Sequence, residues 1–298
     1  MRIAFTKCHG SGNDFPLVDA RRLRLPDPEW AAIARILSDR GGSIGGDGIL
    51  LLYQCDRRRN CGFGMRMFNS DGSEAETCLN GLRCVARAGF EALGIEAAEV
   101  ALKASTAQVS RAPDIAPGVY SVRTQARATM GIAATGPLSG LPSNRDFIPV
   151  SMPNPHLITF VDAVDEDELV ALGTWCEAAP PLLPERANVS FVEKRGDDLY
   201  VRTFERGVGL TNACGSAMAA SVFAAGLARA VPWGREIRIF NKGGLVLGSA
   251  ASPEQGADVT ITGNATFEYD GEINADGTDL TITRRRDDEI AAWDAVLA

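Results

Sequence analysis

Apolar residues recur along this chain with two different periods. Near the N-terminus, residues 2–8 and 15–19 alternate or run apolar in the manner of strands, joined by the polar loop HGSGND. Asp27-Pro28 predicts a helix start, with Asp at the cap and Pro in the first turn. Trp30, Ile33, Ala34 and Leu37 then mark one helical face, and Gly41-Gly42 stop it. GDGILLLYQ reads as a buried strand and FGMRMF (63–68) as the next. The pattern over 79–92 predicts a helix that ends near Gly94. VYSVRTQARATM (119–130) alternates like a strand and leads into a second domain.

The second domain repeats the layout of the first. IPVSMPNPHLITFVD lines up with FTKCHGSGNDFPLVD, which sets Asn154 against Asn13 and Asp162 near the level of Asp19. RANVSFVE (186–193) falls where GGDGILLL falls, and VRTFE (201–205) matches MRMFN (65–69), with Arg202 opposite Arg66. Cys78 and Cys214 follow these strands at the same distance, an offset of 136 residues, and each precedes an Ala-rich helix. The expectation is a duplicated strand–loop–Cys–helix unit.

Composition narrows the class. The 298 residues suit two domains of ordinary size, and 45% hydrophobic with 23% charged residues is the balance of a globular protein. A formal net charge of −8 argues against nucleic acid or an anionic membrane as the main partner. No apolar run reaches the length of a spanning helix, and MRIAFTKCHGSGNDF has no signal-peptide core, so the expected location is cytoplasmic. The seven cysteines have no framework spacing, which predicts reduced thiols. With no CxxC pair and only two histidines, a zinc site is not expected. There is no P-loop or dinucleotide fingerprint, and no cofactor is called for.

The chemistry lies in the two duplicated cysteines. A helix N-terminus carries unpaired N–H groups and partial positive charge, which favour a thiolate and bind a carboxylate. Two thiols on opposite sides of one bound anion could invert an amino-acid α-carbon. One would remove the α-proton as base while the other delivers a proton as acid. The carbanion-like intermediate would be held by backbone N–H groups. Cys55, Cys61, Cys84 and Cys176 read as inert core thiols. Several other residues keep a structural reading beside a functional one. Asn13, Asn69, Asn154 and Asn188 are turn formers by type, His156 alone would suit a structural hydrogen bond, and Glu205-Arg206 could be a surface ion pair.

Five blocks in order, GSGNDF, FNSDGSEAETCLNG, MPNPH, PERANVSF and ERGVGLTNACGS, resemble the motifs of the diaminopimelate epimerases over roughly residues 1–273. That resemblance implies an α/β fold of two pseudo-symmetric domains. Each would be a mixed sheet wrapped around a central helix, with the active site in the cleft between them. It implies a cofactor-independent isomerase interconverting LL- and meso-2,6-diaminopimelate, on the route to lysine and peptidoglycan, and a homodimer. Cys78 and Cys214 would be the two acid/bases. The reacting carboxylate would rest on N–H groups of Leu79-Asn80 and Gly215-Ser216, with Asn13 near that centre. His156 and Glu205 would orient the reacting amino group. Asn69, Asn154, Asn188 and Arg206 would hold the distal L-centre, where a guanidinium can grip a second carboxylate.

Four positions depart from the family pattern: Leu79 replaces a Gly, Leu210 a Glu, Ala217 a Gly and Ser190 a Gly. They motivate a second reading, a racemase or epimerase of another amino acid such as histidine or a natural-product precursor. A third is a non-catalytic amino-acid-binding relative. The expected domains are 1–120 with about 264–298, carrying Cys78, and 121–263, carrying Cys214. The tail 274–298 is expected to add a strand and a short helix.

Overall fold

The computed structural model of the chain describes residues 1–55, 61–152 and 154–297, so Pro153 of the MPNPH block lies outside the described residues. The fold is mixed α/β, and it divides into two compact units, Met1–Thr124 with Thr262–Ala298 and Gln125–Ile261.

The first unit contains β1 (Arg2–Gly10), β2 (Asn13–Asp19), α1 (Asp27–Leu37), β3 (Gly48–Tyr53), β4 (Phe63–Asn69), α2 (Leu79–Leu93), β5 (Ala97–Ala101) and β6 (Thr106–Ala112). The chain leaves it within β7 (Ser121–Arg127). The second unit holds β8 (Thr129–Met130), β9 (Ile148–Ser151), β10 (Pro155–Val161), α3 (Glu166–Glu177), β11 (Asn188–Arg195), β12 (Asp198–Glu205) and β13 (Gly209–Thr211). It continues with α4 (Gly215–Leu227), β14 (Ile237–Asn241) and β15 (Gly244–Ala250). The chain returns within β16 (Asp258–Asn264), and the first unit closes with β17 (Thr266–Asn274), β18 (Thr281–Arg285) and α5 (Asp287–Leu297).

The strand pairings show the duplication. In the first unit β1–β2 is antiparallel, β2–β3 parallel, β3–β4 antiparallel, β4–β5 parallel and β5–β6 antiparallel. The second unit follows the same alternation through β9–β10, β10–β11, β11–β12, β12–β14 and β14–β15. In each unit the strands wrap one buried helix. Helix α2 buries Leu79 to Arg87 and then Gly89 and Phe90, and α4 buries every residue from Gly215 to Gly226. Close approach needs small residues: a Cβ on Gly89 would sit 2.5 Å from the Phe63 ring.

One duplicated contact was hidden in the matched arginines. Arg66 of β4 pairs with Asp27, the first residue of α1, at 2.8 Å. Arg202 of β12 pairs with Glu166, the first residue of α3, at 2.7 Å. Each carboxylate also sits where the helix dipole favours negative charge.

The predicted helix face of α1 is the buried one, Trp30, Ile33, Ala34 and Leu37, and α2 stops at Gly94, which adopts φ 66°. Three local readings are corrected. Asp27 is the first helical residue and Pro26 stands at the cap, with no side-chain capping bond. The loop HGSGND shrinks to a turn at Ser11-Gly12, because β1 and β2 extend through its flanks and pair as far as Gly10 with Asn13. Cys55 and Cys61 are not free thiols; they form a disulfide whose Cα atoms lie 6.0 Å apart. A bridge over six residues is readily reached from two strand ends, and framework spacing is no guide to such a short loop.

The C-terminal residues complete the first unit. Strand β18 pairs antiparallel with β17, and α5 buries Trp293 against His9, with ring centroids 5.6 Å apart. Glu289 of α5 takes a two-point ion pair from Arg87 of α2. The Arg87 guanidinium also lies 4.0 Å from the Phe267 ring and 4.4 Å from that of Tyr120.

Candidate active site

In the first unit Cys78 is the N-cap of α2, extended at φ −148° and ψ 99°. Its Sγ accepts from the N–H of Gly81 at 3.3 Å, the bond that a Ser or Thr cap usually supplies. Gly81 makes that approach possible: a Cβ there would lie 2.7 Å from Leu50 and 3.4 Å from Cys78 Sγ. The amides of Leu79 and Asn80 belong to the first turn, which has no intrahelical acceptors. Leu79 itself is buried, so the side chain that replaces glycine is taken into the core.

Asn80 Nδ2 donates to Asn13 Oδ1 at 2.6 Å, and Asn13 Nδ2 donates to Asp47 Oδ2 at 2.9 Å. The structure thus joins Asn13, Asn80 and the Cys78 helix. Asn69 is engaged differently. It ends β4, and its amide donates to Ser73 Oγ at 3.0 Å within its own turn.

In the second unit Cys214 is the N-cap of α4, at φ −131° and ψ 110°. It is buried, and its Sγ lies 3.5 Å from Ser216 Oγ. Asn154 Nδ2 donates to the same hydroxyl at 3.2 Å. Burial, and then the carboxylate of Glu205, push the Cys214 thiol well above its ordinary range, although the Ser216 hydroxyl and the Ala217 N–H favour the thiolate. Cys214 is therefore a thiol at neutral pH.

Strand register collects the remaining residues. His156 lies opposite Asn188 in the parallel β10–β11 ladder, and Asn188 Nδ2 is 3.4 Å from His156 Nε2. Asn188 Oδ1 accepts from the backbone N–H of Arg206 at 2.8 Å. Burial, and then the charge of Arg206, lower the His156 pKa to about 3, so this imidazole is neutral near pH 7. Glu205 and Arg206 are each held by a neighbour in the fold. Glu205 accepts from Thr211 Oγ1 at 2.5 Å, and the Arg206 guanidinium donates to Glu185 O at 3.1 Å. Among the described residues, two buried atoms here, Asn154 Oδ1 and His156 Nδ1, have no hydrogen-bond partner. Buried polar atoms are costly unpaired, so a polar ligand is the natural partner of both.

The chain matches the sequence model described as diaminopimelate epimerase over residues 5–114 and 148–268. It is 38% identical over 292 residues to the diaminopimelate epimerase of Clostridium acetobutylicum, covering 93% of this chain and 87% of that one. The Listeria innocua diaminopimelate epimerase is 36% identical over 312 residues, covering 98% and 94%. This chain belongs to the diaminopimelate epimerase family. Solved structures share the fold at lower identity. A Bacillus anthracis phenazine biosynthesis protein of the PhzF family superposes with TM-score 0.69 and 15% identity, over 92% of this chain and 99% of that one. A hydroxyproline epimerase from Agrobacterium vitis gives 0.66 and 13%, over 99% and 98%.

The other free thiols, Cys8, Cys84 and Cys176, are all buried in this diaminopimelate epimerase family member. Burial pushes Cys176 up to about 12. Among the described residues no group of three or more His, Cys, Asp or Glu is placed to hold a metal ion. Sequence reasoning missed Arg83, Asp47 and Thr211. Arg83 left one sign, as a charged residue inside the otherwise apolar start of α2.

Proposed function

We propose that this enzyme interconverts LL- and meso-2,6-diaminopimelate without a cofactor, with Cys78 and Cys214 as the two acid/bases. The observation that carries the reading is the repeated one: each unit caps its central helix with a cysteine, where backbone N–H groups and the helix dipole favour negative charge. One thiolate removes the α-proton as the other thiol protonates the opposite face, and the roles exchange in the reverse direction. Charge developing on the carboxylate meets the first-turn N–H groups of Leu79-Asn80 and Gly215-Ser216.

The second unit supplies a way to switch its thiol. Glu205 opposes ionisation of Cys214. A substrate ammonium on Glu205 neutralises that carboxylate and eases deprotonation when substrate is bound. Neutral His156 adds no competing charge there, and Asn154 Oδ1 is an acceptor for the amino group. Asn69, Asn154, Asn188 and Arg206 take the distal L-centre. The same reading makes the protein a cytoplasmic homodimer, which sedimentation equilibrium tests.

The deciding experiment is incubation with a panel of amino acids in deuterium oxide. Deuterium should enter the α-position of diaminopimelate only, and Cys78→Ala and Cys214→Ala should each abolish turnover. Near wild-type turnover in either variant would overturn the two-thiol assignment. Exchange into another amino acid instead would overturn the substrate.

A further inference from the structure

Arg83 is wholly buried, and it has no carboxylate partner among the described residues. Its Nε donates to Asn264 O at 3.0 Å, and its Nη1 reaches Leu79 O at 3.5 Å. Its Nη2 donates to Ser11 Oγ at 2.9 Å and to Asn80 Oδ1 at 3.0 Å. Every one of these acceptors is a neutral oxygen. A buried cation without an anion is costly, so its retention needs a reason.

The hydrogen-bond polarity supplies one. A guanidinium can only donate and a carboxylate can only accept, whereas an amide does both. Arg83 donates to Asn80 Oδ1, Asn80 Nδ2 to Asn13 Oδ1, and Asn13 Nδ2 to Asp47 Oδ2. Asp47 is held in turn by Arg40 at 2.7 Å and by the backbone N–H of Asp14 at 3.1 Å. With a pure donor at one end and a pure acceptor at the other, both amides have a single satisfied orientation. Flipping either one sets oxygen against oxygen and N–H against N–H. Each amide nitrogen spends one hydrogen on the relay and keeps a second.

We infer that Arg83 and Asp47 are positioning residues that act through Asn80 and Asn13, fixing both amides so that their second N–H is offered to a substrate carboxylate beside Cys78. This rests on the reading of the Cys78 helix as a substrate site. It explains why the residue is arginine: burial lowers its pKa only to about 10, so it stays a permanent donor at neutral pH. The relay presents donors on this side, and so selects an anionic group there over an ammonium.

The test is a polarity cycle in the full-length enzyme. In Asn80→Asp the new carboxylate still accepts from Arg83 but forces Asn13 to turn its nitrogen inward, leaving Asn13 Oδ1 against Asp47. Adding Asp47→Asn turns an amide N–H to Asn13 Oδ1 and its oxygen to Arg40, and lets the relay run reversed at unchanged net charge, giving up only the bond from the Asp14 N–H. Tm should fall in N80D and recover in N80D/D47N, while kcat/KM stays depressed about tenfold or more in both, because the amides now face the substrate wrongly. Asp47→Ala removes the acceptor without altering Asn80, and should raise KM for diaminopimelate about tenfold. Failure of Tm to recover in the double variant would overturn the relay. Recovery of turnover together with Tm, or an unchanged KM in D47A, would leave the relay structural and overturn its positioning role. If wild-type enzyme exchanged no deuterium into diaminopimelate, the functional reading would fail while the thermal cycle still decided the relay.

Discussion

The chain has only two histidines, one in each unit, and both are buried neutral. His9 is lowered to about 4 by burial, with Arg83 and Lys7 adding to the effect and Asp14 and Asp294 opposing it. His156 is lowered to about 3 by burial and Arg206. An unfolded histidine titrates near ~6.5, so the unfolded chain binds more protons once pH falls below that value. The folded pKa values are depressed, so this stability is present above about pH 6.5 and is lost as pH falls toward the folded values. At pH 5 each unfolded imidazole is almost fully charged and each folded one almost fully neutral, which costs about 2 kcal/mol per histidine relative to pH 7. That figure hardly depends on whether the folded value is 3 or 4, because both lie below the pH of the measurement. The window also excludes most carboxylates, whose unfolded values lie near ~4. Glu268 is the exception: burial raises it, and it gains stability as pH falls. It is common to all variants and cancels in a comparison. Urea unfolding at pH 7 and pH 5 should show His9→Gln and His156→Gln each losing about 2 kcal/mol of the wild-type difference between the two pH values. Identical differences in wild type and both variants would refute the reasoning, since a histidine charged in the folded state carries no such penalty.

Three further perturbations follow from particular contacts. Glu289→Gln strips the buried Arg87 of its main counter-charge and should cost about 2–3 kcal/mol in urea unfolding, below the full cost of a broken buried pair because Glu91 remains beside Arg87; a change under about 0.5 kcal/mol would show the pair to be incidental. Alkylation of Cys214 by iodoacetamide should still be climbing above pH 9, and Glu205→Gln should accelerate it at any lower pH; a plateau near neutral pH would contradict the assigned thiol state. Gly81→Ala pushes a methyl against Leu50 and the Cys78 sulfur, and should cost about 1–3 kcal/mol of stability with a larger fractional loss of turnover; unchanged turnover would mean that the sulfur position is not critical.

Some of this structure was legible in the sequence because the physics behind it is local. The α1 face, the Gly94 stop and the cysteine caps depend on periodicity and on residues within one turn. Helix α3 was missed: it opens on Glu166-Asp167-Glu168 and buries only Leu169, Leu172, Gly173 and Cys176, a narrow apolar stripe with two weak members. The Cys55–Cys61 bridge was misread because seven cysteines in a long chain suggest thiols, and only the spacing of two strand ends reveals the pair. The relay could not have been read at all. Its members come from residues 11–13, 47, 80–83 and 264, four segments whose meeting is a property of the sheet and not of any window.

The duplication also shows where two copies of one unit must differ. The pairs Arg66–Asp27 and Arg202–Glu166, which tie a strand to the start of a helix, are kept in both. Around the cysteines the copies have parted. At the same offset, Arg83 behind Cys78 becomes the buried apolar Ala219 behind Cys214, and Asn69 becomes Glu205. The first thiol thus has a buried guanidinium on its helix. The second has a carboxylate that opposes its ionisation. Two cysteines that look equivalent in sequence are therefore electrostatically unlike in structure. A symmetric pair would leave both thiols in the same protonation state, whereas a two-base inversion begins with one charged and one neutral. The substitutions beside the caps, more than the caps themselves, are what would make an inverting pair out of a duplicated fold.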